Sequence, residues 1–162
     1  MSAADTFNGL VGDLDYPMFI VTAAADGDRA GCLVGFATQT SIDPSRFLVC
    51  LSRANRTYRL ARGATALGVH LVPAGADRLA ELFGGETGDR VDKFARVAWH
   101  DGPAGVPILE ECHNWFVGRV LDRFDAGDHV AFLLEPVAAE RGTPADEFTF
   151  HRARRIAPGH EA

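Results

Sequence analysis

The feature that most constrains this fold is a series of short, apolar, β-rich runs separated by Gly, Pro and Asp turn signals. The runs cover residues 18–25, 29–41, 46–51, 67–72, 115–124 and 129–139. Runs at this spacing, with no long helix between them, favour an antiparallel sheet over a parallel α/β fold. Residues 125–128 (DAGD) join the last two runs and predict a hairpin. The predicted fold class is therefore mainly β with small helices, closed into a small antiparallel barrel.

Short helices are predicted between these strands. Apolar residues recur at helical spacing in 6–14, 55–61 and 76–83, and residues 91–95 (VDKFA) predict one further turn. Thr6 or Asp5 is the predicted N-cap of the first helix, and Gly63 the left-handed cap of the second. The length of 162 residues, without a repeat or a linker, predicts one domain. We divide it into an N-terminal helix (1–15), a main domain (16–140) and a C-terminal extension (141–162).

Composition excludes several classes of function. A net charge of −6 without a basic stripe argues against nucleic acid as a partner. Cys32, Cys50 and Cys112 form no C-x-x-C pair and have no zinc spacing, so we expect free thiols and no metal site. The sequence has no secretory signal, and no apolar run approaches the roughly 20 residues of a membrane span. These features predict a cytoplasmic protein without a membrane partner.

Two segments carry the polar groups that a flat heteroaromatic ligand with a phosphate needs. Residues 30–44 (AGCLVGFATQTSIDP) combine glycines with clustered hydroxyl and amide donors, although an ordinary strand with outward polar residues explains the same pattern. Residues 51–57 (LSRANRT) place capping residues and arginines at a helix start, which suits an anion. Plain helix capping with solvated arginines explains this segment equally well.

Two further positions invite a role. Lys93, in Asp92-Lys93-Phe94, is the one lysine of a chain whose other cationic side chains are arginine, so it is a candidate point charge on a phosphate. An inert surface lysine is the alternative. His129 begins a strand after Gly127-Asp128, where it could stack on a nicotinamide or flavin, or simply be a half-buried imidazole. The sequence contains no nucleophile elbow and no evident catalytic carboxylate pair, which favours chemistry carried by a bound cofactor.

In order along the chain, these segments resemble the flavin reductase family, the FMN-binding split barrels of Greek-key type. The resemblance covers about residues 16–140. It rests on residues 19–31, 35–44, 47–61, 67–83, 92–94 (DKF), 105–109 (GVPIL) and 127–129 (GDH). None of these motifs is specific to the family by itself, but their order along the chain is specific to it.

The resemblance implies a homodimer of split barrels with FMN or FAD bound near the subunit interface. It implies hydride transfer from C4 of NADH or NADPH to flavin N5, with the reduced flavin passed to a partner monooxygenase. It assigns site residues by family pattern. The isoalloxazine ring would be lined by Cys32, Leu33, Val34, Gly35, Thr38 and Gln39. The phosphate end would be held by Ser52, Asn55 and Thr57, together with Lys93 and the guanidinium of Arg53. Phe94 is a further candidate cofactor-binding residue. His129 is the candidate catalytic residue, next to the nicotinamide.

Some positions depart from the family pattern. Leu33-Val34-Gly35 stands where side-chain donors are frequent, and Gly118 stands where cysteine is common. These departures keep open a non-catalytic flavin-binding or carrier protein of the same fold. A barrel related to the deazaflavin or pyridoxamine-oxidase type, with a different cofactor, is a third hypothesis. FMN against FAD, and NADH against NADPH, are left open by the sequence.

Overall fold

A computed structural model describes residues 1–144 and 146–159. The chain begins with helix α1 (Ala3–Gly12), one turn earlier than the sequence predicts. Ser2, and not Thr6 or Asp5, is the N-cap. Its hydroxyl accepts from Asp5 N at 3.1 Å, and the Asp5 carboxylate accepts from Ser2 N at 2.9 Å. This reciprocal capping box satisfies two helix-terminal donors at once, which explains the earlier start.

Nine strands follow. They are β1 (Phe19–Ala25), β2 (Asp28–Val34), β3 (Ala37–Ser41), β4 (Arg46–Ser52), β5 (Ala66–Leu71), β6 (Trp99–Asp101), β7 (Pro107–Leu109), β8 (Asn114–Asp125) and β9 (His129–Arg141). Three more α-helices, α2 (Arg56–Ala61), α3 (Asp77–Gly85) and α4 (Phe150–Ala153), and 3-10 turns at Lys93–Ala95 and Pro103–Gly105 lie between or after them. The prediction of a mainly β, antiparallel fold with small helices is confirmed.

Seven strands form one antiparallel sheet in the order β2-β1-β5-β8-β9-β4-β3, and β6 and β7 form a small second sheet. The predicted run 29–41 is in fact two strands, β2 and β3, which lie at opposite ends of this order. Only residues 35 and 36 join them, so the sheet must curl until its two ends approach each other. The Cys50 N–H donates to Phe36 O at 2.8 Å and fastens this junction.

The curled sheet encloses the main core. Val21, Leu67, Phe132 and Leu134 are fully buried there, and α2 packs against β1 and β2. A second core lies under α3 and includes Phe148, from the predicted C-terminal extension. Phe148 N donates to Val72 O, and Phe148 O accepts from Met18 N, both at 2.8 Å. Residues 145 and 160–162 of that extension lie outside the described residues.

The prediction that Gly63 is the left-handed cap of the second helix is wrong. The C-cap is Arg62, in the right-handed helical region, and Gly63 is not among the glycines with positive φ. Arg123, from β8, donates instead to the carbonyls of Ala61 and Ala64. A long-range side chain therefore satisfies helix-terminal acceptors for which a local glycine motif was expected.

A buried histidine holds β5 to its neighbours. His70 is fully buried; its Nδ1 lies 2.9 Å from Ile20 O, and its Nε2 accepts from Leu109 N at 3.1 Å. These partners require the neutral ring with the proton on Nδ1. Burial lowers the pKa of His70 from 6.5 to about 4.

We expect this histidine to make stability depend on pH. Below pH 6.5 the unfolded chain protonates His70 while the folded chain does not, so stability is lost as pH falls from 6.5 towards 4. The loss should reach about 3 kcal/mol. Urea titrations at several pH values measure it, and His70→Gln should show a flatter profile. Equal pH slopes for the two proteins would contradict this role.

Among the described helices, none combines the length and the apolar character that crossing a bilayer requires.

Candidate functional site

A cavity of about 230 Å³ opens where the end of β2, the end of β4 and the start of β9 meet. Seven of the residues predicted from sequence line it: Cys32, Leu33, Val34, Gly35, Ser52, Asn55 and His129. They come from three separate segments, which the curling of the sheet brings together. A Cβ at Gly35 would lie 3.0 Å from Tyr16 Cε2 and 3.2 Å from Met18 Sδ, so glycine allows these two side chains to pack closely at this wall of the cavity.

One wall of this cavity is aromatic. The rings of Phe36 and His129 lie 4.9 Å apart between centroids, and Phe36 is 57% exposed although it is a large apolar residue. His129 Nδ1 lies 2.7 Å from Asp128 Oδ1, and this hydrogen bond lowers the pKa of the Asp128 carboxyl. With Nδ1 donating to the carboxylate, Nε2 of His129 is left for another partner.

A second cleft, of about 340 Å³, lies beside the first, and Asn55 lines both. Four predicted residues line it: Asn55, Thr57, Lys93 and Phe94. Arg29, Arg56 and Arg90 lie there as well, together with Asp28, Asp89 and Asp92. The cleft is thus strongly polar, in contrast to the mostly apolar cavity.

The junction between β4 and α2 lies between the two cavities, and two side chains there form capping hydrogen bonds. Asn55 Oδ1 accepts from Thr57 N at 2.9 Å as the N-cap of α2, and Ser52 Oγ accepts from Ala54 N at 3.3 Å. Thr57 is only 1% exposed, and its hydroxyl makes no well-formed hydrogen bond within the described part of the chain. The Cys32 thiol is its neighbour. This buried hydroxyl belongs to a residue that also lines the polar cleft.

The thiols at the cavity are not nucleophiles. Burial raises the pKa of the Cys32 thiol, and burial also raises the pKa of the Cys50 thiol. Both are therefore neutral at physiological pH. Within residues 1–144 and 146–159, no group of three or more His, Cys, Asp or Glu side chains could hold a metal ion.

Lys93 is a buried lysine, not a surface lysine. It is 5% exposed, and its Nζ donates to Gly31 O and to Phe83 O, both at 3.0 Å. Burial lowers its pKa. The ammonium therefore ties β2 to α3 at the edge of the polar cleft, and two of its three donors are already used.

Three predicted residues line neither cavity. Thr38 and Gln39 are exposed on β3, and their side chains bond locally to Gln39 O at 3.3 Å and Ser41 O at 3.2 Å. Arg53 turns towards the hairpin between β8 and β9, where its guanidinium contacts Gly127 O and the Asp125 carboxylate. The single chain does not bring these three residues to the 230 Å³ cavity, which we call the ring cavity because the predicted ring residues 32–35 line it.

Sequence reasoning missed several lining residues. Tyr16 and Phe150 stack at 4.8 Å with their planes 10° apart, and both line the 230 Å³ cavity. They are far apart in sequence, so no local pattern could pair them. Phe36 lies within the segment 30–44 singled out above, and its position directly after Gly35 was the available signal.

A third, apolar cavity of about 520 Å³ lies between α1 and the β2–β3 junction and shares Tyr16, Gly35, Phe36 and Phe150 with the ring cavity. No residue of α1 is buried, and Phe7 and Leu10 are 60% and 65% exposed. An apolar helix face thus lies open next to the site.

Comparisons with known proteins show the family and the fold to which this chain is similar. Residues 11–158 match the family model described as flavin reductase like domain. The FMN reductase (NADH) RutF of Bradyrhizobium diazoefficiens is 30% identical over 122 residues, which cover 75% of this chain and 67% of that protein. The reductase component of the 4-nitrophenol 4-monooxygenase/4-nitrocatechol 2-monooxygenase of Rhodococcus opacus is 32% identical over 148 residues, 91% of this chain and 77% of that protein.

A longer relative from Rhizobium meliloti is 32% identical, and this chain spans 39% of its length. Among solved structures, the flavin reductase domain protein of Arthrobacter sp. FB24 superimposes with a TM-score of 0.83 and 22% identity. The match covers 92% of this chain and 91% of that one, and it shows a shared fold.

Proposed function

This chain belongs to the flavin reductase-like domain family, and from that premise we propose that it is an NAD(P)H:flavin oxidoreductase. The observation that carries the proposal is the convergence of residues 32–35, 52–55 and 129 on one cavity that adjoins a polar cleft. An apolar slot next to a polar cleft suits a ligand with a ring at one end and a phosphate at the other.

The residues present fit a flavin. Gly35 adds no side chain to the wall of the ring cavity, and Cys32, Leu33 and Val34 would line the ring. The buried Thr57 hydroxyl, with Ser52 and Asn55, would hold the phosphate end. When bound, the flavin supplies the acceptor for the hydride that NAD(P)H loses on oxidation. The chain's own part is to orient the two rings and exclude water, and we assign His129 and Phe36 to the nicotinamide side.

We further propose a homodimer of split barrels of Greek-key type. The curled sheet supports the barrel, because strands adjacent in sequence lie at its two ends. The open apolar face of α1 and the half-exposed Phe36 beside the cavity support a second copy that covers them. In such a dimer the partner could bring residues to the site, and Thr38 and Gln39 could meet the partner's ligand. Analytical ultracentrifugation tests the dimer.

The choice of FMN or FAD, and of NADH or NADPH, belongs to the same proposal. The Bradyrhizobium relative is named for FMN and NADH, which favours this pair. The Rhodococcus relative is a reductase component, which favours a monooxygenase as the consumer of the reduced flavin. The cytoplasmic location stays a prediction from sequence.

A flavin-titrated assay of NADH and NADPH oxidation tests the function. We expect turnover that saturates with flavin, and a variant that fills the slot, Gly35→Leu, should weaken flavin binding at least tenfold. Gly75→Leu is the matched control, since a side chain there meets nothing within 4 Å. Absence of flavin-dependent oxidation in the wild-type protein would overturn the proposal.

A flavin-binding carrier of the same fold is the second candidate. The ring cavity is lined by Leu33, Val34 and Gly35, which offer no side-chain donors to tune a flavin for hydride transfer. A carrier would bind flavin and give a yellow protein that leaves NADH unoxidised, so the same assay separates the two functions.

A further inference from the structure

We propose that Arg53 is a positioning residue, which holds the turn before β9 so that His129 faces the ring cavity, and that it does not bind the flavin phosphate. This inference rests on the proposed function. It departs from the sequence-based expectation for Arg53, which grouped it with the phosphate ligands because of its place at a helix start.

Arg53 makes three contacts with one short turn. Its guanidinium donates to Gly127 O and pairs with the Asp125 carboxylate. Its backbone N–H donates to Asp128 O at 3.1 Å. The residue just before it, Ser52, pairs with His129 in the β4–β9 ladder, so Arg53 lies beside the turn by register.

The turn itself is exposed. The side chains of Asp125 and Asp128 are 79% and 72% exposed, and Ala126 N donates to His129 O at 3.0 Å to close the hairpin. Gly127 has φ 126°, a conformation that glycine adopts readily, and its carbonyl accepts from Arg53. A two-pronged guanidinium on the carbonyl and the carboxylate holds both sides of the turn.

The turn determines where His129 lies. Asp128 Oδ1 holds His129 Nδ1 at 2.7 Å, and the imidazole packs on Phe36 at the cavity wall. Arg53 lines neither the ring cavity nor the polar cleft. Its guanidinium is instead directed at the turn that leads into His129.

Two variants separate positioning from phosphate binding. Arg53→Met removes the guanidinium, and Asp125→Asn removes its carboxylate partner but leaves the arginine in place. If Arg53 positions the turn, both variants should raise KM for NADH about five- to tenfold, with flavin Kd within twofold of wild type. Arg53→Lys, which can keep one contact, should restore part of the loss. The double variant should be no worse than the more affected single variant.

The matched controls are Arg119→Met, which breaks an exposed pair with Glu135, and Asp122→Asn, which lies on β8 three residues before Asp125. Neither should change KM. If Arg53→Met weakens flavin binding tenfold while Asp125→Asn does not, Arg53 is a phosphate ligand and the inference is wrong. If neither variant moves KM, it is also wrong. If Arg53→Met fails to fold, Asp125→Asn still tests the inference. Turnover of the wild-type protein tests the proposed function separately.

Discussion

Replacing Lys93 by methionine is expected to lower the free energy of unfolding by about 2–4 kcal/mol. Methionine is also unbranched and only one atom shorter than lysine, but it leaves Gly31 O and Phe83 O without their donor. Each buried carbonyl that loses its partner costs roughly 1–3 kcal/mol. The ammonium also lies 5.4 Å from the centroid of the Phe83 ring, a contact that methionine replaces only in part. Chemical denaturation monitored by circular dichroism measures the loss.

Arg96→Met is the control for this variant, because Arg96 is an exposed cation three residues further along the chain. It should stay within about 0.5 kcal/mol of wild type, as surface substitutions usually do. A Lys93→Met protein of wild-type stability with much weaker flavin binding would contradict the structural role and restore the phosphate contact predicted from sequence.

Replacing His129 by alanine is expected to raise KM for NADH about 10- to 100-fold while flavin Kd stays within twofold. The variant removes the ring that packs on Phe36 and the Nε2 atom that is left for the nicotinamide nucleotide. Loss of a neutral hydrogen bond costs about 0.5–1.5 kcal/mol, and loss of an aromatic contact costs about as much again. Their sum corresponds to about this range at 1.4 kcal/mol per tenfold. Steady-state kinetics at saturating flavin and fluorescence titration of flavin give the two quantities.

His113→Ala serves as the control, since His113 is exposed and lines neither cavity. His129→Gln should fall between wild type and His129→Ala, because it keeps a polar group but loses the ring. An equal rise in flavin Kd would assign His129 to the flavin instead. An unchanged KM for NADH would show that His129 does not contact the nicotinamide nucleotide.

Lys93 and Arg53 show which contacts of a cationic side chain residue type and spacing could not predict. Both were expected at the phosphate because they are cations near a helix start or a glycine-rich loop. In the structure each side chain donates to backbone carbonyls. Lys93 donates to Gly31 O and Phe83 O, and Arg53 donates to Gly127 O. Which acceptor a long cationic side chain reaches depends on tertiary placement and not on its neighbours in sequence.

Local patterns predicted most of the strands, because alternation of apolar residues and turn chemistry act over a few residues. The hairpin at residues 125–128 follows from Asp and Gly, and β4, β5, β8 and β9 begin or end within two residues of the expected positions. No strand was predicted between residues 86 and 105, so β6 (Trp99–Asp101) was missed. This strand of three residues pairs with β7, which is equally short, and it is too short to carry a periodic signal.

The sequence by itself determined that this chain is an antiparallel β protein with small helices and which segments carry polar groups, since these properties follow from local periodicity and composition. Only the tertiary structure decided that residues 32–35, 52–55 and 129 share a cavity, that Tyr16 stacks on Phe150 and that Lys93 is buried. The physical reason is that these contacts depend on how the sheet curls. The curling is set by packing between strands that are far apart in the chain.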